Sequence, residues 1–313
     1  MQKKEFTYLS SDGEHKIRAV LWTPDGEVKA VLQLIHGMAE YIDRYEDFAA
    51  FLCGHGFAVT GNDHLGHGPS AKESDLGYFT AHQPADHVVE DVHLLYEQTK
   101  KEYPLVPYFL FGHSMGSFVI RNYLGKYSED LSGAIICGTG YTPGGVLGMA
   151  RFMSAIKTAF GGGHVKAPFI NAIAFGSYNA RIKPAKTVND WLSVNEENVN
   201  RYREDKLCGF TFTGNGFRTL FGLIAGCQKA SCFEGVKKDL PILMVAGGED
   251  PVGAYGSGVK TVYEKYKAAG VKDIDMILYD GQRHEILNDD AHEKVYEDLL
   301  AFLTSKSSDS LSR

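Results

Sequence analysis

The chain has 313 residues, 44% of them apolar, and a formal net charge of −7. That length suits one large domain or two modest ones, and no apolar run approaches the ~18 residues of a membrane span. The acidic balance disfavours nucleic acid as a partner. Five scattered cysteines (Cys53, Cys137, Cys208, Cys227, Cys232) form no CxxC pair, which argues against a disulfide framework and for free, mostly buried thiols.

The N-terminal MQKKEFTYLSSDGEHK has Lys3 and Lys4 near its start but no apolar stretch behind them. No secretory signal is therefore expected, and the chain reads as cytoplasmic. EFTYLS and KIRAVLWT are separated by Ser10-Ser-Asp-Gly13, which predicts an antiparallel hairpin at a sheet edge. AVLQLIH, FAVTGND, PYFLF, SGAIICG, PILMVAGG and DIDMILY follow. From Ala30 onward these runs are almost continuously apolar, as in strands covered on both faces. Helical patterns lie between and after them: Tyr45, Phe48, Ala49 and Leu52; Val88, Val92, Leu95 and Thr99; Met115, Phe118, Val119 and Asn122; Val295, Leu299 and Phe302. Buried strands alternating with helices predict an α/β fold, with a mostly parallel central sheet flanked by helices.

The rhythm breaks between about Gly140 and Val236. That stretch has glycine clusters and many aromatics but no strand alternation, and it predicts an inserted, mostly helical cap. Residues 1–139 and 237–306 then form the core, and the polar 307–313 is a flexible tail. The insertion carries 11 Lys and Arg against 6 Asp and Glu, a net of +5 inside an acidic chain. Such a segment suits contact with anionic lipid head groups, which makes a peripheral membrane contact through the cap an expectation. Phe152, Met153, Ile156, Phe160, Phe169, Ile170, Ile173 and Phe175 are first expected to pack the cap against itself and the sheet. The alternative is an acyl-chain channel.

Gly112-His-Ser-Met-Gly116 matches GxSxG, a weak signal alone in a chain with 35 glycines. Its context is a strand before it and a helix after it. A turn that tight needs small residues at 112 and 116 and strains the serine between them. Ser114 is the candidate nucleophile, and the Met115 N–H at the helix start is a candidate oxyanion donor. A serine needs a base, and the base needs an orienting acid. PILMVAGG ends in Glu249-Asp250-Pro251, and DIDMILY leads into Gly281-Gln-Arg-His284. Asp250 is preferred over Glu249 because Pro251 should start a helix, turning Glu249 to the opposite side. His284 is the base. The loop His36-Gly37-Met38 supplies the second oxyanion donor, the Met38 N–H. His64-Leu-Gly-His67 resembles a ligand pair, but its glycines and missing third ligand set a metal aside.

These motifs together resemble the monoacylglycerol lipase and bacterial lysophospholipase branch of the α/β-hydrolase superfamily. The resemblance rests on HGMAEYIDRY (36–45), NDHLGHGPS (62–70), FGHSMGS (111–117), DWLS (190–193), DKLCGFTFT (205–213), GEDPVG (248–253) and YDGQRHEILND (279–289), in order along the chain. It implies a serine hydrolase acting on lipid esters through an acyl-enzyme, with no cofactor and no metal, and with Ser114, Asp250, His284, Met38 and Met115 in the roles above. Tyr41 departs from the pattern, since related lipases commonly carry His there. A general short-chain carboxylesterase is the alternative. A proline-iminopeptidase-like enzyme would instead use cap carboxylates, Glu196, Glu197, Glu204 or Asp205, to bind a free amine.

Overall fold

The computed structural model describes residues 1–311. All eight apolar runs are strands of one sheet: β1 (Gln2–Leu9), β2 (Lys16–Thr23), β3 (Ala30–Ile35), β4 (Phe57–Asn62), β5 (Tyr108–His113), β6 (Gly133–Cys137), β7 (Ile242–Gly247) and β8 (Ile274–Tyr279). Their order across the sheet is β1-β2-β4-β3-β5-β6-β7-β8. β2 is antiparallel to both β1 and β4, and every other pairing is parallel. The edge hairpin is therefore present as expected.

Alternation along each strand sends side chains to two cores. Leu32 and Leu34 of β3 join Phe109 and Phe111 of β5 on one face. That face is covered by α1 (Glu46–Gly54) and α10 (His292–Leu311), which bury Phe48, Leu52, Val295 and Leu299 there. Val31 and Ile35 join Leu110 and Ile136 on the other face. Its covering helices are α2 (Pro84–Glu102), α3 (Met115–Tyr127) and α9 (Ser257–Ala268). Full burial of such side chains contributes roughly 1.5–3 kcal/mol each.

The segment between β6 and β7 holds α4 (Gly144–Gly161), α5 (Pro168–Phe175), α6 (Glu196–Glu204), α7 (Gly214–Cys227) and α8 (Ala230–Glu234). α7 and α8 pack on α3, so they extend the core's helical layer, whereas α4 and α5 roof a cavity. Arg121, fully buried on α3, donates to the carbonyls of Gly140 (3.1 Å) and Cys227 (3.1 Å). One side chain thus fastens both ends of the insertion to the same helix.

The segment read as a tail is helical as far as it is described. Helix α10 runs on through Leu311, because Leu303 is buried in the core and the hydroxyls of Ser305, Ser307 and Ser308 donate back to carbonyls one turn earlier. Residues 312 and 313 lie outside the described residues.

Candidate active site

The chain leaves β3 toward one neighbour, β4, and later returns on the other side as β5. Such a reversal opens a crevice at the carboxyl ends of the strands, and the predicted residues converge there. Ser114 is the single residue between β5 and α3, with φ 53° and ψ −118°. This strained conformation is held by packing. A Cβ on Gly116 would lie 2.0 Å from the Ile35 carbonyl oxygen, and one on Gly112 would lie 2.4 Å from the Gly116 oxygen. The Ser114 N–H donates to the Cys137 carbonyl of β6 (3.0 Å).

Met115 is the first residue of α3, and its N–H faces outward along the positive end of the helix dipole. Met38 sits in the loop after β3. Neither N–H donates to an acceptor among the described residues. The loop is shaped by Gly37, whose missing Cβ would otherwise stand 2.5 Å from Glu40 Oε1 and 3.0 Å from Ser114 Cβ. From the insertion, the Gly209 N–H (2.9 Å) and the Tyr202 hydroxyl (3.2 Å) donate to the Ala39 carbonyl. The Tyr41 hydroxyl donates to Asp205 Oδ2 (2.7 Å).

Asp250 follows β7 and His284 follows β8. Both are buried, and His284 Nδ1 lies 2.8 Å from Asp250 Oδ2. Asp250 Oδ1 also accepts the Val252 N–H (2.8 Å). Glu249 is exposed, as its rejection required. The reason given for that rejection is corrected: Pro251 starts no helix. Asp250 captures the Val252 N–H into a turn, and Ala254, Tyr255 and Gly256 all take positive φ before α9 begins at Ser257. His284 Nε2 has no hydrogen-bond partner among the described residues. It therefore makes no bond to Ser114 here, although both residues line the same cavity. Catalytic hydrogen bonds are commonly loose before substrate binds.

The cavity has a volume of about 1010 Å³. Its lining is mainly apolar and comes largely from the insertion, including Met153, Ile170, Ile173, Phe175 and Phe221. The expectation that the cap's apolar residues are packing holds for Ile170, which is buried in the core, and Phe175, which packs against it, and fails for others. Phe152 (62% exposed), Phe160 (89%) and Phe169 (70%) face outward, because one side of α4 and α5 has nothing packed on it.

Sequence reasoning missed a charged network behind the site. Arg44 donates to Glu40 Oε2 (2.8 Å) and, with both Nη atoms, to Glu285 (2.8 and 2.7 Å). Glu285 also accepts from Asn198 Nδ2 (2.8 Å) on α6. Burial opposes the charge on each carboxylate, but Arg44 and His113 outweigh it and hold both below the usual carboxylate range. The signal was present in the Glu40–Arg44 spacing of four. His64 and His67, set aside as metal ligands, are joined by His36 in a buried cluster, with the His36 and His64 rings 4.1 Å apart. No group of three or more His, Cys, Asp or Glu among the described residues is arranged to hold a metal.

A serine on a strand-to-helix elbow, beside a buried acid–histidine pair at the switch point of a mostly parallel sheet, defines the α/β-hydrolase class. The chain belongs to the serine aminopeptidase S33 family of hydrolases, whose model matches residues 26–291. It is similar to a monoacylglycerol lipase from Mycolicibacterium smegmatis, with 26% identity over 91% of each chain. It is also similar to the monoglyceride lipase of Mus musculus, 26% identical over 91% of this chain and 87% of that one. Among solved structures, a thermostable carboxyl esterase from Bacillus coagulans in complex with glycerol superposes with a TM-score of 0.90. The two are 30% identical, covering 97% of this chain and 99% of that one.

Proposed function

We propose that this protein is a serine hydrolase that cleaves carboxylic esters of lipids, a monoacylglycerol or a lysophospholipid, through an acyl-enzyme. The observation that carries the reading is the strained Ser114 opening, with the buried Asp250–His284 pair, onto a large apolar cavity under a helical cap. The similar lipases from a bacterium and a mouse support it, as does the glycerol held by the similar esterase, since glycerol is the alcohol half of such an ester.

His284 takes the Ser114 proton through Nε2 as Ser114 Oγ attacks the ester carbonyl. The N–H groups of Met38 and Met115 receive the developing oxyanion. His284 then protonates the leaving alcohol and activates the water that releases the fatty acid. Asp250 stays ionised, fixes the tautomer by accepting from Nδ1, and stabilises the imidazolium. The cap is the 140–236 insertion, with α7 and α8 as its footing on the core. The reaction calls for no metal or organic cofactor.

Ser114→Ala should lower turnover of a p-nitrophenyl ester by about 10⁴–10⁶-fold. Near wild-type activity in that variant would refute the assignment. A panel of monoacylglycerols, lysophosphatidylcholines and short acyl esters fixes the substrate, and a steep optimum at long chains is expected. Activity confined to acetate and butyrate esters would instead make the protein a general carboxylesterase, the second reading, which the similarity to the Bacillus coagulans esterase favours. An aminopeptidase role has less support. Glu196, Glu197, Glu204 and Asp205 are absent from the cavity lining, and Glu196 and Asp205 are engaged by Lys186 and Tyr41.

The protein acts in the cytoplasm and touches membranes peripherally. No described helix is long and apolar enough to cross a bilayer. The exposed apolar face of α4 and α5, beside Arg151 and Lys157, suits an anionic interface. Co-sedimentation with phosphatidylserine-containing vesicles tests this, and equal recovery in the supernatant with and without vesicles would count against it.

A further inference from the structure

His113 is the residue before Ser114, and its buried ring has an acceptor at each nitrogen. Nδ1 lies 3.3 Å from Glu40 Oε1, and Nε2 lies 3.2 Å from the main-chain carbonyl oxygen of His284. A carbonyl oxygen has no proton to give. Glu40 has none either, because both its oxygens are filled by donors. Oε1 accepts the Gly37 N–H (2.6 Å) and the Tyr45 hydroxyl (2.9 Å), and Oε2 accepts from Arg44 (2.8 Å). A neutral imidazole donates from one nitrogen only, so one of these two contacts would set lone pair against lone pair.

We infer that His113 is held as an imidazolium throughout the working pH range, and that its fixed charge ties the oxyanion loop to the base loop and keeps His284 neutral and ready as a base. This rests on the proposed roles of Ser114 and His284. The His113 and His284 ring centroids are 4.7 Å apart. Gly138, at φ +59°, makes room for both; a Cβ there would lie 3.1 Å from His284 Cε1 and 3.3 Å from His113 Cδ2. Burial works against a charge on His113, but the hydrogen bond and charge of Glu40 outweigh it and raise its pKa.

The groups facing His113 can be named element by element. The loop after β3 brings Glu40, and the turn that follows brings Arg44 and Tyr45. The loop after β8 brings His284 and Glu285, and Asp250 lies beyond the His284 ring. The four formal charges His113, Glu40, Arg44 and Glu285 sum to zero. Neutralising His113 leaves one excess negative charge beside His284, which favours protonation of the base. His113 touches no reacting atom, so it is a positioning residue.

The test uses the wild-type protein labelled with ¹⁵N-histidine, together with His113→Gln. At pH 8.5 ordinary histidines are neutral. One ring is expected to keep both nitrogens protonated there, and its signal should vanish in H113Q. The acidic limb of the kcat/KM profile on p-nitrophenyl butyrate should move up by roughly one pH unit in H113Q. A purely structural role would lower kcat without moving that limb. The inference is overturned if no ring stays charged at pH 8.5 in the wild type, or if folded H113Q keeps the wild-type limb. Should H113Q fail to fold, the wild-type spectrum decides alone. Should the wild type cleave no ester, the functional reading fails separately while the spectrum still reports the charge of His113.

Discussion

At Gly37 the margin is one methyl group. A Cβ there meets Glu40 Oε1 at 2.5 Å, and that oxygen is the one that accepts the Gly37 N–H. Gly37→Ala must move the loop that carries the Met38 N–H, and a displacement of about 1 Å near reacting atoms can cost about 10²-fold in rate. The expected result is a loss of that order in kcat together with a destabilisation of about 1–3 kcal/mol from the overpacked site; a fully active G37A would remove Met38 from the proposed oxyanion site. The histidines behind this loop make a different prediction. Burial lowers the pKa of His64 to about 4 and of His67 to about 3. Unfolded histidine takes a proton near pH 6.5, whereas these two do not, so stability is complete above pH 6.5 and is lost as pH falls toward 4. Each accounts for roughly 3 kcal/mol at pH 4. Asp63 runs the other way. Burial raises it to about 6, so it restores a smaller amount, roughly 2 kcal/mol, between pH 6 and 4. The net effect of the three groups is acid destabilisation. The ring of His67 is met edge-on by Phe79, Phe210 and Phe212, an environment that accepts another aromatic. His67→Phe should therefore shift acid unfolding, followed by circular dichroism, to lower pH. An unchanged acid midpoint would exclude this cluster as the cause.

The base loop and one strip of the cap behave as one element. Asp289, fully buried five residues after His284, accepts from Ser193 Oγ (2.6 Å), Val194 N–H (2.7 Å) and Asn195 N–H (3.1 Å) through Oδ1. Its Oδ2 accepts the Arg283 N–H (2.9 Å). Arg283 in turn donates to the carbonyls of Asp190 (2.7 Å) and Ser193 (2.8 Å), and the Glu285 N–H donates to the Leu192 carbonyl (2.7 Å). His284 is thus held from both sides by 190–195. Asp289→Ala strands several buried donors, at about 1–3 kcal/mol each. It should lower the melting temperature and lower kcat by about tenfold or more, while KM for a small ester changes little; a loss confined to KM would separate this staple from the position of His284. The sequence showed the elements but not this fastening. Strands such as Ala30–Ile35 were legible because burial on both faces leaves no polar alternation, and the places of the three candidate residues, Ser114, Asp250 and His284, were legible because each follows a strand-like run. The staple was not, because nothing in DWLSVN or HEILND says that they meet. The turn at Pro251 misled for a similar reason: its course is set by a side-chain bond from Asp250, not by the propensity of proline.

At the scale of the whole molecule, the cap divides by how it is held. The strip 190–209 is fastened by polar bonds to the loops that carry His284 and Met38, whereas α4 packs on α7 and the link between α4 and α5 is bonded to 212–215, the Ala167 N–H donating to the Phe212 carbonyl (3.0 Å) and the Gly214 N–H to the Val165 carbonyl (3.0 Å). The outer side of α4 and α5 bears the exposed Phe152, Phe160 and Phe169. The overall −7 charge repels an anionic surface at a distance, but the insertion's net +5 orients that face toward it. On the proposed peripheral reading, their exposure and that charge assign the outer aromatics to the interface and not to chemistry. The combined variant F152S/F160S/F169S should keep wild-type kcat/KM on dissolved p-nitrophenyl butyrate. It should bind phosphatidylserine-containing vesicles at least tenfold more weakly and lose a comparable factor on a long-chain monoacylglycerol presented in them. An equal loss on the dissolved and the vesicle-borne ester would mean that these side chains shape the cavity from outside. Unchanged vesicle binding would mean that the protein meets lipid through another face.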